Sequence, residues 1–200
     1  MLLCHHLKAP LFLATFILIS TLGLLSCNDN AAIDSKAVAQ ELNKPNADLT
    51  KESDERFLVS AAEINYRQIL TGKLARQRAT DPSVKELAAE VEEAHREAKS
   101  SLASRAIMEG IAVPSSPTPS AMACYDKLNE KAVESFDQEY CAMVIQDHKD
   151  IIALFEKVTV GKHDPDVQSL ASSLLPVMRV YLARAQACET QLNPVSDLIR

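Results

Sequence analysis

An aspartate and a histidine stand side by side near the middle of residues 136–156, FDQEYCAMVIQDHKDIIALFE. The segment has helical periodicity, and at about 100° per residue Asp147 and His148 both project into its apolar arc. A carboxylate beside an imidazole can ligate a metal, move protons, or anchor a polar network inside a helical bundle. Because burying a charge is costly unless the charge is paired, this position requires one of these explanations.

Each of the other long helical segments also carries a polar residue near the middle of its apolar stripe: Gln68, His95 and Tyr181. Antiparallel hairpins would bring these residues to similar levels. The sequence therefore predicts one buried polar layer made of Gln68, His95, Asp147, His148 and Tyr181. In this favoured interpretation the side chains hydrogen-bond one another and fix the register of the helices.

A metal centre is the second interpretation of the same residues. Glu92 and His95 have the Glu-x-x-His spacing, and together with Asp147 and His148 they offer oxygen and nitrogen ligands for zinc, copper or iron. Ferritin-type bundles hold two metals with a glutamate from each of two helices and a Glu-x-x-His from each of the others. The two remaining helices here offer a glutamine and a tyrosine instead. A site for one metal is therefore a better fit than a di-metal oxidase, and no cofactor is assured.

Nucleophilic catalysis has little support in the sequence. Cys141 lies two turns from His148, about 10 Å along a helix axis, which is too far for a direct hydrogen bond. The chain shows no Ser–His–Asp pattern and no glycine-rich phosphate loop. His163, in the segment GKHDPD, is predicted to be a solvated turn residue. We therefore predict no catalytic residues, and an enzyme is the less favoured class.

Composition predicts an all-helical fold that does not bind nucleic acid. The 200 residues include only four glycines and no tryptophan, and the net charge of −6 comes without a basic stripe that could displace phosphate counterions. Periodicity predicts four long helices, over about 53–79, 82–109, 135–160 and 165–192, with a kink at Pro176. A proline-rich loop at 113–120 and a short helical segment at about 121–133 lie in the linker 110–134 between the second and third helices.

An internal repeat indicates that the four helices form two related hairpins. DPSVKELA, residues 81–88, opens the second long helix, and DPDVQSLA, residues 164–171, opens the fourth. In both, aspartate can cap the helix and proline can occupy the first helical position. We interpret the repeat as a duplicated helical hairpin, and two such hairpins predict a four-helix bundle with a long crossover linker.

The N-terminal segment resembles the signal of a bacterial lipoprotein. Lys8 precedes the apolar run 9–26, and Cys27 follows that run directly to complete the sequence LLSC, residues 24–27. In such signals the cysteine is lipidated and the chain is cut just before it, and the alternative is a plain transmembrane anchor. Cleavage would remove Lys8 and no acid, leaving 27 acidic and 20 basic residues and a net charge of −7. We predict a signal peptide at 1–26, a polar tether at 27–52, a bundle at 53–192 and a tail at 193–200, with a helical turn or two near 35–42.

Three cysteines remain in the predicted mature chain, and an envelope location would allow one disulfide among them. Cys124 lies in a flexible segment near the predicted end of the last helix, so a Cys124–Cys188 bridge with Cys141 free is preferred. The alternative, with all three thiols reduced and packed, remains open.

Four stretches of the chain resemble the bacterial domain-of-unknown-function 4142 family: 57–75, 84–102, 136–156 and 167–185, of which the third, with F-D-x-x-Y followed by M-V-x-x-D-H, is the most specific. The resemblance implies a ferritin-like four-helix bundle in the cell envelope and no assigned activity. Family members usually have an acid before the histidine on the second helix, a glutamate near Gln68 and often a histidine in place of Tyr181. Here Ala94 precedes His95, so the resemblance carries over His95, Asp147 and His148 alone.

These observations predict a non-enzymatic, lipid-anchored binding or structural module, held in the inner or outer membrane and facing the periplasm or the cell surface. The alternative is a metal-binding or redox-active ferritin-like protein with its site between the second and third long helices. Beyond the membrane, the sequence leaves the partner open between a protein and a small molecule.

Overall fold

The computed structural model describes residues 34–43 and 48–193, and within these ranges the chain is helical and contains no strand. The described helices are α1 Ser35–Leu42, α2 Leu49–Arg78, α3 Pro82–Glu109, α4 Pro119–Asn129, α5 Val133–Val160 and α6 Pro165–Leu192. The predicted all-α class is confirmed. The predicted signal peptide and Cys27 lie outside the described residues. So does the predicted tail 193–200, apart from its first residue. None of the described helices is both long and apolar enough to cross a bilayer.

Helix boundaries follow the capping residues that the sequence carries. Asp81 and Asp164 each cap a helix through the side chain, at Ser83 N and Asp166 N, and a proline follows each of them. Gly110 ends α3 in the left-handed conformation at φ 63°, which glycine adopts without a steric penalty. The bounds of α3 and α6 agree with those predicted. By contrast, α2 begins four residues before 53, α4 covers 119–129 rather than 121–133, and α5 begins at 133. Helix α6 continues through Pro176.

The four long helices pack as two hairpins around a shared core. Helix α2 packs against α3 and α5 against α6, while α3 also packs on α6 and α2 on α5. Two clusters of buried apolar side chains fill the bundle, one on each side of its middle. One contains Val91, Phe136 and Tyr140, and the other contains Phe57 and Phe155, whose rings meet edge to face at 5.2 Å. The predicted four-helix bundle is therefore present, and its polar residues lie between two apolar halves.

The residues before the bundle's first long helix are more ordered than the sequence suggested. Helix α1 forms where a turn or two was predicted, and its cap residue Asn43 exchanges two hydrogen bonds with Ala112, at 2.8 and 2.9 Å. Ser35 Oγ donates to the carbonyl of Ser116 at 2.7 Å, and Lys36 pairs with Glu63 of α2. The folded part therefore begins before residue 53, because α1 is held by the crossover linker and by α2.

The hairpin duplication extends well beyond the repeated octapeptide. Three pairs of polar residues are each separated by the same 83 positions: Asp54 and Asp137, Thr80 and His163, Asp81 and Asp164. Asp137, near the start of α5, accepts from Thr80 N, Thr80 Oγ1 and Asp81 N in the turn before α3. Asp54, near the start of α2, is bonded in the equivalent way to the turn before α6. An aspartate of each hairpin thus accepts hydrogen bonds from the turn of the other hairpin.

His163 is therefore not the solvated turn residue that the sequence predicted. Its side chain is only 11% exposed, and its Nδ1 lies 2.6 Å from Asp54 Oδ1. Asp164 N donates to the other oxygen of Asp54 at 3.1 Å. A buried carboxylate needs donors, and the α5–α6 turn supplies them.

Replacing Asp137 with asparagine is expected to lower the free energy of unfolding by about 1–2 kcal/mol, because hydrogen bonds to a charged acceptor are stronger than those to a neutral one. The amide would also turn one N–H toward the donors of Thr80 and Asp81. Urea unfolding measures the loss. Asp126→Asn, on the exposed face of α4, is the matched control and should change stability by less than about 0.5 kcal/mol. Equal midpoints for the two variants would contradict the proposed role of this contact.

Candidate functional site

Two histidine side chains meet at the centre of the bundle. His95 comes from α3 and His148 from α5, and neither is exposed to solvent. Their Nε2 atoms lie 3.4 Å apart, and the rings are at 76° with centroids 5.2 Å apart. Since the centroids are farther apart than the Nε2 atoms, the rings meet at their Nε2 ends rather than face to face.

The opposite nitrogen of each imidazole is bound to a hydrogen-bond acceptor. His148 Nδ1 donates to the carbonyl of Val144 at 2.8 Å, and His95 Nδ1 donates to Oδ1 of Asn65 on α2 at 2.7 Å. Asn65 in turn donates through Nδ2 to the carbonyl of Ala61 at 2.8 Å, which fixes the orientation of its amide. Both rings are therefore held as Nδ1–H tautomers, with a lone pair on each Nε2.

Burial keeps both imidazoles neutral. It lowers the pKa of His95 well below its ordinary value, and the nearby His148 and Arg67 lower it further. Burial also lowers the pKa of His148, although its bond to the Val144 carbonyl opposes that change. At neutral pH the two rings thus face each other without a proton between them.

The carboxylate of Asp147 turns toward α2 rather than toward an imidazole. Arg67 Nη2 lies 2.8 Å from Asp147 Oδ1, and Gln68 Nε2 donates to Oδ2. Burial raises the pKa of Asp147 to about 6, against the opposing effects of Arg67 and Gln68. Above that pH the group is an ion pair with Arg67. The predicted contact of Gln68 with this layer is present, whereas Arg67 was not identified from the sequence.

Glu92 forms ion pairs with two arginines. It is therefore not free to act as the metal ligand that its spacing suggested. Its carboxylate pairs with Arg76 at 3.0 Å and with Arg96 one turn along α3. Burial raises the pKa of Glu92, but Arg96 and Arg76 together hold it below its ordinary value. Both arginines are about half exposed, so long side chains reach in from the surface to neutralise a buried acid.

The proposed ligand set of Glu92, His95, Asp147 and His148 therefore does not converge on one point. Within the part of the chain that the structure describes, no group of three or more His, Cys, Asp or Glu side chains is placed to hold a metal. The two acids are each engaged by arginine, and only the two imidazoles face each other.

Tyr181 contributes a ring rather than a hydrogen bond to the layer. It is partly buried, its ring centroid lies 6.3 Å from that of His148, and among the described residues its hydroxyl makes no hydrogen bond to the layer. Oε1 of Gln68 and the hydroxyl of Tyr140 are buried and have no hydrogen-bond partner within the described ranges. The predicted single network is thus two groups: Gln68 and Asp147 bond each other and Arg67, while His95 meets His148 and bonds Asn65. Neither Arg67 nor Asn65 was predicted, and in the described part of the chain Tyr181 is not bonded to either group.

The predicted Cys124–Cys188 bridge is not formed, because Cys188 packs against a different cysteine. Cys124, Cys141 and Cys188 are all free thiols. Cys188 packs in the same buried cluster as Cys141 of α5 and lies 3.4 Å from Ser83 Oγ on α3. Burial raises the pKa of Cys141, and Cys188 raises it further. A buried thiol with a raised pKa is a poor nucleophile.

A surface pocket of about 260 Å³ between α4 and α5 reaches the polar layer from outside. Asp147 forms part of its wall, one residue before the buried His148. Cys124 lies in the same wall, whereas Cys188 does not line this pocket. The lining residues are Cys124, Lys127, Leu128, Lys131, Glu139, Ala142, Met143, Gln146 and Asp147.

Comparisons with known proteins agree with this architecture. A family model described as "Domain of unknown function (DUF4142)" matches residues 39–188. The crystal structure of a DUF305 fragment from Deinococcus radiodurans is similar in fold, with a TM-score of 0.60 and 15% sequence identity, over 70% of this chain and 96% of that one. At this identity the similarity shows the fold alone. A search of curated proteins finds no match.

Proposed function

The chain belongs to the DUF4142 family, and on that premise we propose that it is an envelope protein, lipid-anchored at Cys27, whose bundle binds or supports a partner rather than catalysing a reaction. The proposal combines the LLSC signal with a helical domain in which Glu92 and Asp147, the acids of the buried layer, are paired with arginines. The partner class stays open between a protein and a small molecule.

The observation that supports a non-enzymatic role is the mutual neutralisation of the buried polar groups. Among the described residues, Glu92 is paired with two arginines, Asp147 is paired with Arg67, and the two central imidazoles are unexposed. General acid–base catalysis needs a group within hydrogen-bond reach of the substrate. Asp147 lines the α4–α5 pocket, but its carboxylate is already held by Arg67 and Gln68, and both imidazoles are unexposed.

The distribution of exposed apolar side chains supports a membrane-facing end. Helix α2 begins, and α3 and α5 end, at the same end of the bundle, because neighbouring helices are antiparallel and Asp54 bonds the α5–α6 turn. Large apolar side chains are exposed at these termini, including Leu49 at 75%, Ile107 at 79% and Val160 at 85%. Exposed apolar groups at this end of the bundle suit contact with a lipid interface.

Acyl labelling of the full chain in a bacterial host tests the anchor. We expect labelled fatty acid to be incorporated into the wild type, and Cys27→Ser to abolish the label and accumulate the uncut precursor. Cys124→Ser, which keeps the signal intact, is the matched control and should label normally. A wild-type chain that is cut without acquiring label, or label that survives Cys27→Ser, would overturn the proposal.

A further inference from the structure

The geometry points to a further site: we propose that His95 and His148 bind one divalent transition-metal cation of the zinc type between their Nε2 atoms. The inference does not depend on the lipid anchor or on a partner. It differs from the ligand set expected from the sequence, because it uses the two imidazoles without the acids.

The first argument is that both Nε2 atoms are acceptors with nothing to accept from. The Val144 carbonyl and Oδ1 of Asn65 can only accept, so each fixes the proton of its imidazole on Nδ1. Flipping the Asn65 amide would set its oxygen against the Ala61 carbonyl. Two lone pairs therefore oppose each other in a buried site with no donor from the described residues between them, and a cation between them would relieve that conflict.

A proton is the simplest such cation, and burial disfavours it. An N–H···N bond between the rings requires one of them to be an imidazolium, since both Nδ1 atoms already carry hydrogen. Burial lowers the pKa of both histidines, and each Nδ1 is already engaged. A metal ion needs no such protonation, because it binds neutral imidazoles through the Nε2 lone pairs.

The second argument is the separation of the two nitrogens. With Zn–N bonds of about 2.0–2.1 Å, a tetrahedral ion separates two of its nitrogen ligands by about 3.3–3.4 Å. The two Nε2 atoms are 3.4 Å apart. A hydrogen-bond acceptor on the far nitrogen of each ring is also the usual arrangement for histidines that ligate metals, where it fixes the tautomer and ring orientation.

The remaining ligands must be neutral, because both nearby acids are engaged by arginine. Gln68 belongs to the same layer through its bond to Asp147, and its Oε1 is a buried carbonyl oxygen without a hydrogen-bond partner. Water can complete the coordination from the α4–α5 pocket, whose wall includes Asp147. A site with imidazole and neutral oxygen ligands suits zinc, cobalt or nickel.

The test uses the full chain, purified in detergent without an affinity tag and stripped with a chelator that is then removed. Zinc is added by dialysis and, separately, during refolding, and bound metal is measured per chain. We expect one zinc per chain. His95→Gln and His148→Gln should each weaken binding at least tenfold, whereas His163→Gln, which alters the histidine paired with Asp54, should bind as the wild type does.

Nitrogen NMR of the wild-type imidazoles keeps the test decisive if a variant fails to fold. The metal-free protein should show His95 and His148 as Nδ1–H tautomers. Zinc should shift both Nε2 resonances and leave those of His163 in place. Absence of stoichiometric zinc after both loading procedures would overturn the proposal, and so would an Nε2–H in either ring or undiminished zinc binding by both glutamine variants.

Discussion

Replacing Arg67 with methionine is expected to lower the free energy of unfolding by about 3–5 kcal/mol at pH 8, the largest loss we expect from a single substitution in the polar layer. Arg67 is the only cation bonded to Asp147 among the described residues, at 2.8 Å, and both side chains are largely buried. Methionine fills similar space without charge. The carboxylate would then remain buried with Gln68 as its hydrogen-bond donor, which is the costly case of a broken buried pair.

The loss should shrink as the pH falls, and the sign follows from the pKa of Asp147. Burial raises that pKa to about 6, above the value of 3.8 for the exposed group. The folded state therefore binds the proton more tightly than the unfolded chain does, and the contribution of Asp147 to stability falls as the pH rises from about 4 to about 6. Without Arg67 this decline continues to higher pH. At pH 5 Asp147 is mostly protonated in both proteins, so their difference should be smallest there.

Urea unfolding of both proteins at pH 5 and pH 8 measures this effect. Arg56→Met is the matched control, since Arg56 is exposed and pairs with Glu52 along the same helix, and it should cost under about 1 kcal/mol. The double variant Arg67→Met, Asp147→Asn should recover part of the loss at pH 8, because no buried charge remains. A loss that is equal at both pH values, or unchanged in the double variant, would argue against a paired charge.

The sequence was sufficient for the helices whose ends carry their own signals. Asp81-Pro82 and Asp164-Pro165 start α3 and α6, and Gly110 ends α3, so local chemistry determined those bounds. The start of α2 was missed although Asp48 caps it through its side chain. Helix α1 is stabilised by residues of the linker about 70–80 positions away, such as Ala112 and Ser116, and helical periodicity has no information about such contacts.

The composition of the polar layer was predictable, but its pairing was not. Angular projection correctly predicted that His95, Asp147 and His148 face inward, because the projection depends only on helix geometry. It could not show that Arg67 pairs with Asp147, or that Arg76 and Arg96 reach inward from exposed positions to neutralise Glu92. The Glu92-x-x-His95 spacing was therefore misleading.

The internal repeat could have identified Asn65 if it had been extended beyond the two octapeptides. Asn65 and His148 are separated by the same 83 positions as Asp54 and Asp137, and both lie against His95. Aligning the hairpins along their whole length would have paired these two residues. It would also have paired Thr80 with His163, and so indicated that His163 bonds an acid. The cysteines have no such relation, and their spacing alone could not show that Cys188 meets Cys141.

Replacing Gly72 with valine is expected to lower the free energy of unfolding by about 3 kcal/mol, through overpacking between α2 and α3. A Cβ at residue 72 would lie 3.1 Å from the carbonyl oxygen of Ala88 and 3.2 Å from Cβ of Glu92. The Ala88 carbonyl belongs to the helix ladder of α3, so it cannot move alone. Two further methyl groups require the helices to separate, which would also draw Glu92 away from Arg76.

Comparison with alanine at the same position separates packing from backbone effects. Gly72→Ala gains up to about 1 kcal/mol of helix propensity, which offsets part of the smaller clash, so its stability should stay near that of the wild type. Lys73→Val, one residue along on the exposed side of α2, controls for placing a β-branched residue in this helix and should cost under about 1 kcal/mol. If Gly72→Val unfolds at the same urea concentration as Lys73→Val, the helices are not in close contact at Gly72. If Gly72→Val alone is destabilised, the absence of a side chain at residue 72 is what allows α2 to approach α3 closely. That close approach is also what brings Asn65 within hydrogen-bond distance of His95.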